Sequence, residues 1–354
     1  MENIKLNETP VRTSKNFNIN NIKLENIEVP DIMPKFPNTT ILNPNESIEI
    51  QEKQLDFNLQ YGLSTELTNL VRTKANKNLV ILSRGKENSE AQVIFDFDIK
   101  NEALMENVQI IAEENSKATI IIKYASKEHI RAFHNGVIKA KAKQNSELNI
   151  VIVNLINQES NNFLSIENEL EENAKINYTI IDFGGKNSIT NYYSNLLGDF
   201  SENKINTIYL GRENQLFDLN YILEQRGKAT NTNIEVQGAL KDNAKKHFKG
   251  TIDFKKGCKH AKGNENEACM LLSDTAKSLA LPMLLCSEEE VEGNHSSSAG
   301  KIGPKELFYI MSRGFELKEA KKIMVKAKFN EIIQTIKNVG LKNEIIEEIE
   351  KRLD

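Results

Sequence analysis

ENSKATIII (114–122) and its near-copy QNSELNIVI (144–152) decide how this chain folds. Each opens on a polar Asn corner and runs into a β-branched stretch, the pattern of a turn feeding a strand. The phrase returns as ENSEAQVIF from Glu87, ENAKINYTI from Glu172 and ENKINTIYL from Glu202. Its Asn falls at 88, 115, 145, 173 and 203, in steps of 27, 30, 28 and 30, and KATNTNIEV places Ala229 at the next Asn position. Asn tolerates the left-handed backbone and bonds back to its own chain, which suits a tight corner. A second strand-like segment lies between phrases: Phe133–Ala142, Phe163–Leu170, Ile189–Leu197, Phe217–Arg226 and Phe248–Phe254. Two strands per repeat, with almost no helical periodicity, predict stacked coils that bury their apolar faces on one another. The expected fold is therefore mainly β, a parallel β-helix (β-solenoid). A β-sandwich also has short strands and turns, but it has no reason to repeat one phrase in one phase.

The two ends read differently from the middle. Residues 1–60 are polar and Asn-rich, with Pro30, Pro34, Pro37 and Pro44 spaced as in an extended, weakly structured segment. Residues 61–303 form the expected β-helix core. From 304 to 354 the pattern turns helical: Pro304 fits a first helical position, and Gly314 a stop. Leu317, Ala320, Met324 and Ala327, then Phe329, Ile332, Ile333 and Ile336, mark a stripe expected to end at Gly340. Leu341, Ile345, Ile346, Ile349 and Leu353 mark a last amphipathic helix. Such a small C-terminal α-helical domain must pack its stripes on each other, on the solenoid or on a partner.

Composition narrows the function classes. Among 354 residues, 46 Lys and Arg face 50 Asp and Glu, a net charge of −4, which predicts no nucleic-acid partner. The N-terminus lacks a signal-peptide pattern and no apolar run is long enough for a membrane span, so a cytoplasmic protein is expected. Three cysteines in so long a chain do not make a disulfide framework.

Nucleotide chemistry finds no support. Gly184-Gly185-Lys186-Asn187-Ser188 lacks the upstream Gly of a phosphate loop and sets Asn between Lys and Ser, and no G-x-G-x-x-G follows a strand. Metal chemistry is more open. The cysteines stand at 258, 269 and 286, and the histidines at 129, 134, 247, 260 and 295. Cys258 and His260, two apart, would share a face if they lie on a strand, but no second pair completes a zinc site. Cys269 and Cys286 lie in apolar surroundings and read as core thiols, although thiolate and imidazole are what iron–sulfur chemistry requires. His295, in VEGNHSSSAGKIG (291–303), reads as a histidine on a polar turn before the helices. Paired carboxylates for glycan cleavage would be Asp96 and Asp98 in FDFD, with nothing to mark them above a solvated strand face.

Residues 247–315 resemble the signature end of the SufB/SufD family, scaffold subunits of the Suf iron–sulfur cluster assembly machinery. The matching pieces are F-x-G-x-I in Phe248–Ile252, L-L-S-x-x-A in Leu271–Ala276, P-x-L in Pro282–Leu284, the histidine stretch, and L-F-Y-x-x-S-R-G in Leu307–Gly314. Pro10-Val11-Arg12-Thr13 with Phe17 resembles an early P-x-R motif, and the family's N-terminal helical portion is expected to be reduced here. The family's fold is a right-handed parallel β-helix, which agrees with the repeat.

The resemblance implies a non-catalytic scaffold. Within the family the chain is similar to SufD: the position at which SufB proteins carry a cysteine for nascent sulfur or cluster is Glu267 here, with Cys269 two residues on. A SufB-like subunit that itself receives the cluster is the alternative, and a carbohydrate-active β-helix a remote one. The resemblance further implies a SufB-like partner paired through the β-helix ends, with homodimer formation possible in its absence. It also implies a SufC ABC-type ATPase docked on the C-terminal helices at Leu307, Phe308, Tyr309, Arg313 and Gly314. ATP hydrolysis would then belong to SufC, with no nucleotide bound by this chain. A transient iron–sulfur cluster or iron would be held at the subunit interface by His295, with Cys269 as a weaker candidate, and completed by the partner.

Overall fold

The computed structural model describes residues 3–13, 19–31, 33–42, 44–127 and 130–354; Phe17 and His129 lie outside the described residues. Four strands open the chain: β1 (Asn3–Leu6), β2 (Ile22–Glu25), β3 (Thr39–Leu42) and β4 (Ile48–Glu52), followed by helix α1 (Thr65–Lys74). The segment to residue 60, expected to be weakly structured, thus contributes strands to the fold.

The solenoid follows as two strands per coil. They are β5 (Lys77–Ser83), β6 (Ser89–Phe97), β7 (Ala103–Ala112), β8 (Lys117–Ser126), β9 (Phe133–Ala142), β10 (Glu147–Leu155), β11 (Asn161–Leu170) and β12 (Lys175–Asp182). Then come β13 (Asn187–Leu196), β14 (Glu202–Gly211), β15 (Leu216–Gln225), β16 (Asn231–Leu240), β17 (Lys245–Phe254), β18 (Lys262–Leu271), β19 (Lys277–Cys286) and β20 (Glu292–Gly300). Even-numbered strands from β6 stack in parallel into one sheet and odd-numbered strands from β5 into the other, giving a parallel β-solenoid of about eight turns.

Both faces of the central strands are covered, which explains their unbroken apolar runs. In the quoted phrase, Ile120 and Ile122 point into the coil interior, while Ile121 points out. Outside, Ile121 belongs to one cluster with Val325, Phe329, Ile332, Ile345 and Ile349 of α3 (Leu317–Ile333) and α4 (Val339–Leu353). Of the surfaces expected for these stripes (each other, the solenoid or a partner), the flank of the solenoid is the one they cover. The opposite sheet is roofed by the β1–β2 hairpin, whose Ile4, Leu6, Ile22 and Leu24 cluster with Met105, Phe133, Phe163 and Ile189.

Corners lock the coils. Asn115, Asn145 and Asn173 all take left-handed φ values of 54–60°. Each N–H donates to a carbonyl of the next coil, as from Asn145 to Glu172 O at 3.1 Å. The expected fifth corner at Asn203 is displaced: Phe200 holds the left-handed position (φ 61°), and Asn203 lies inside β14 beneath the Tyr192 hydroxyl. Asn88 likewise is no left-handed corner; its side chain accepts from Thr119. Ala229 is one, as expected, at φ 50°. Cys258 and His260 occupy a corner and not a strand: Cys258 is buried, and His260 is left-handed and exposed. Asp98 is not free for catalysis. It accepts from the Asn38 side chain and the Lys100 and Asn101 N–H groups to close a turn, which holds its carboxyl below the usual range.

At the C-terminus, α2 (Pro304–Met311) begins at its proline, and Gly314 at φ 97° ends the turn behind it. Gly340 does not stop α3, which ends at Ile333. It sits in the first turn of α4, whose start is set by Asn338 accepting the Leu341 N–H at 2.9 Å.

Candidate functional site at the open end

The solenoid's two ends are built differently. At the first coil, β3 and β4 pair antiparallel with β6 and β5, and Phe36 packs edge-on against Phe97 at 5.3 Å. At the last coil no further strand among the described residues pairs with β19 and β20, which are the edge strands of their sheets. All nine residues of β20 are exposed. An edge strand presents a row of unpaired backbone donors and acceptors, a template for another chain. Pro282 on β19 fits such an edge, because a proline cannot donate to a further strand.

His295 is not on a turn. It lies mid-way along β20, in register with Glu265 of β18. Parallel register puts both side chains on the same face, the one turned toward the coil interior. On either side the rungs are in contact: Asn294 with Asn264 at 3.1 Å, Ser296 with Asn266 at 2.7 Å, and Ser297 with Glu267 at 2.8 Å. Gly- and Ser-rich composition suggests a turn; the strand exists because β18 offers a parallel partner 30 residues earlier.

Beneath this edge lies a buried polar group that was not foreseen. β18 turns Gly263, Glu265, Glu267 and Cys269 inward. Glu267 accepts from Lys246 Nζ at 2.6 Å and from the Tyr209 hydroxyl at 3.2 Å, with no solvent exposure of either ionic partner. The Lys246 ammonium also donates to Leu279 O at 3.2 Å and sits over the Phe248 ring. Glu265 is different. It is 2% exposed and neither carboxyl oxygen has a hydrogen-bond partner. Burial, with the charge of Glu267 adding to it, pushes its carboxyl up to about 8, so it is mostly protonated at neutral pH. Gly250 makes the room: a Cβ there would stand 2.3 Å from Glu265 Oε1. The glycine of F-x-G-x-I thus has a physical reason.

The thiols divide. Cys269 is buried, and burial raises its pKa against the opposing pull of Lys246, Tyr209 and Ser278. It is held as a thiol, the weaker ligand form. Cys258 is buried and pushed up to about 11. Cys286, expected in the core, is exposed at the end of β19, where its thiol donates to Glu288 O at 2.9 Å. Among the described residues no three His, Cys, Asp or Glu side chains converge as a metal site.

A second exposed surface follows the last strand in the chain. On α2, Phe308 is 73% and Tyr309 58% exposed, Leu307 is half-buried, and the Arg313 guanidinium lies 4.6 Å from the Tyr309 ring centre. Met311, Phe315 and Leu317 extend the exposed apolar patch. Exposed apolar side chains grouped in this way make α2 and the turn after it a candidate interaction surface.

Lys246, Glu265 and Tyr209 escaped the sequence reading because NENEA alternates polar with polar and apolar, so it reads as a solvated strand. The one available signal was Gly250 in register with the motif proline, Pro282. No helix is long and apolar enough to cross a membrane among the described residues.

Comparison with known proteins fits this architecture. Residues 95–328 match the family described as "SUF system FeS cluster assembly, SufBD core domain". The SufD iron–sulfur cluster assembly protein of Bacillus subtilis is 24% identical over 264 residues, 74% of this chain and 60% of the relative. That of Escherichia coli is 23% identical over 240 residues, covering 68% and 57%. A SufBD-family assembly protein of Pyrococcus horikoshii is 25% identical over 224 residues, covering 62% and 49%. The chain therefore spans about half to three-fifths of the length of these relatives. With the solenoid, the matched core and the SufD names in agreement, the chain belongs to the SufB/SufD family of iron–sulfur cluster assembly proteins and is SufD-like within it.

Proposed function

We propose that this chain is a non-catalytic scaffold subunit of a SufBCD-type iron–sulfur cluster assembly complex. Residues 61–303 are the scaffold proper and 304–354 the docking unit. The observation that carries the reading is the uncapped last coil, whose β20 exposes every residue, His295 included. A SufB-like subunit with an equivalent end would extend the sheets across the junction, giving the unpaired edge its partner strand. His295 would then meet the ligands of the facing chain, a neutral imidazole being well suited to iron. Phe308, Tyr309 and their neighbours on α2 form the contact for a SufC ATPase, which supplies the nucleotide chemistry.

The test replaces His295 with Ala in the assembled complex. Lost cluster formation with the complex intact is expected; unchanged cluster yield overturns the ligand role. Paired F308D and Y309D substitutions should abolish SufC capture while the chain stays folded, and retained capture refutes the α2 assignment.

A further inference from the structure

We propose that Glu265 and His295 together form a two-ligand half-site for ferrous iron, held by this chain alone before any partner docks. The inference deepens the reading of His295 as a ligand and rests on it. Three observations carry it. The first is register: Glu265 and His295 are opposite one another on β18 and β20, on the inward face, with strands about 4.8 Å apart. The second is the orphaned carboxyl. A buried polar group without a hydrogen-bond partner costs free energy and calls for an occupant, and both oxygens of Glu265 lack one. The third is the pattern of rungs. Asn264–Asn294, Asn266–Ser296 and Glu267–Ser297 are all joined by hydrogen bonds, whereas Glu265–His295, between them, is not. The gap falls between one carboxylate and one imidazole.

The neighbouring groups favour this pair over others. Glu267 is occupied by Lys246, Tyr209 and Ser297, so its charge is already answered. Cys269 lies deeper along β18, against Tyr209 and Ser278. Glu265 is cradled by Gly250, and the imidazole of His295 is on the rim, where rotation about its side-chain bonds can bring it over the carboxyl. Carboxylate oxygen with imidazole nitrogen is a donor set that suits a divalent first-row cation. With two ligands from this chain, the remaining coordination positions stay open to water and later to the facing subunit. Iron would thus arrive on the SufD-like side before the sulfur-bearing partner closes over it.

The experiment uses the full chain by itself, anaerobically, with Fe(II) in equilibrium dialysis and Co(II) as the spectroscopic probe. Wild-type protein should bind one equivalent and show Co(II) ligand-field bands that include a nitrogen donor. E265Q and H295N should each weaken binding roughly tenfold or more. G250A, whose methyl group displaces the carboxyl, should do the same, with circular dichroism and the melting temperature reporting that each variant is folded. Wild-type affinity in E265Q overturns the proposal, as does absence of uptake by the wild-type chain. Either failure leaves the interface role of His295 standing if H295A still abolishes cluster formation in the complex; loss of both removes the ligand reading altogether.

Discussion

The first coil and the last coil of this solenoid solve the same problem in opposite ways. A stack of parallel strands must end somewhere, and each end exposes apolar interior and unpaired backbone. At the first coil the chain doubles back: β3 and β4 pair antiparallel with the outermost strands, and Phe36 and Ile48 close the core at 1% exposure each. At the last coil the interior itself changes. Apolar residues give way to Glu265, Glu267 and Lys246, and the edge strand carries Gly, Asn, His and Ser in place of branched side chains. An apolar open end is a template for aggregation, whereas a polar one confines pairing to an edge of matching polarity. On the proposed reading, the capped end is structural and the open end is the working surface.

Breaking the cap should cost most. F36A removes a buried ring lying against Phe95 and Phe97, and should destabilise the protein by about 3–5 kcal/mol in urea titration. A loss under 1 kcal/mol would mean that the first coil needs no cap.

Between the ends, the closed interior predicts a pH effect. Asp182 is fully buried and accepts from Asn154 and Ser188, yet burial pushes its carboxyl up to about 6 from the ordinary 3.8. The folded state thus favours the protonated form. Its contribution is fully present below the unfolded value and is lost as pH rises through 6. D182N should remove that loss, on the order of 3 kcal/mol, between pH 4 and 7. Parallel stability-versus-pH curves for wild type and variant would show that Asp182 stays ionised in the fold.

The corners offer a smaller effect. Phe200 is exposed and left-handed at the position that Asn holds in three earlier coils. Replacing it with Asn should stabilise the protein by about 1 kcal/mol, measured by thermal melting, because the short polar side chain of Asn can hydrogen-bond to the local backbone in the left-handed conformation and an aromatic ring cannot. A destabilised variant would mean that the Phe200 ring does more than turn the chain.

Smallest in stability, and sharpest for the comparison, is the open edge. S296K with S298K places charge on an exposed strand and should shift stability by less than about 0.5 kcal/mol. Co-purification with a SufB-like subunit should nevertheless be lost. Retained pairing would move the partner surface elsewhere.

The coil repeat was legible because its signals are local. Asn at 115, 145 and 173 turns the chain by its own backbone preference, and the β-branched runs that follow are strands whatever surrounds them. Gly314 ended its turn as read, whereas Gly340 did not, because Asn338 had already begun the next helix. His295 could be singled out from its motif but not placed. GNHSSSAG has no strand propensity of its own, and only pairing with β18 makes it one.

By itself, then, the sequence determined that the chain coils in parallel, where four of the six expected corners fall and where helices take over. Those features depend on residues within a few positions of one another. Only the tertiary structure decided which polar residues face inward, that Phe200 replaces Asn203 at a corner, and that Glu265 lies unpartnered opposite His295. Each of these depends on register between strands about 30 residues apart, and register is set by the packing of whole coils.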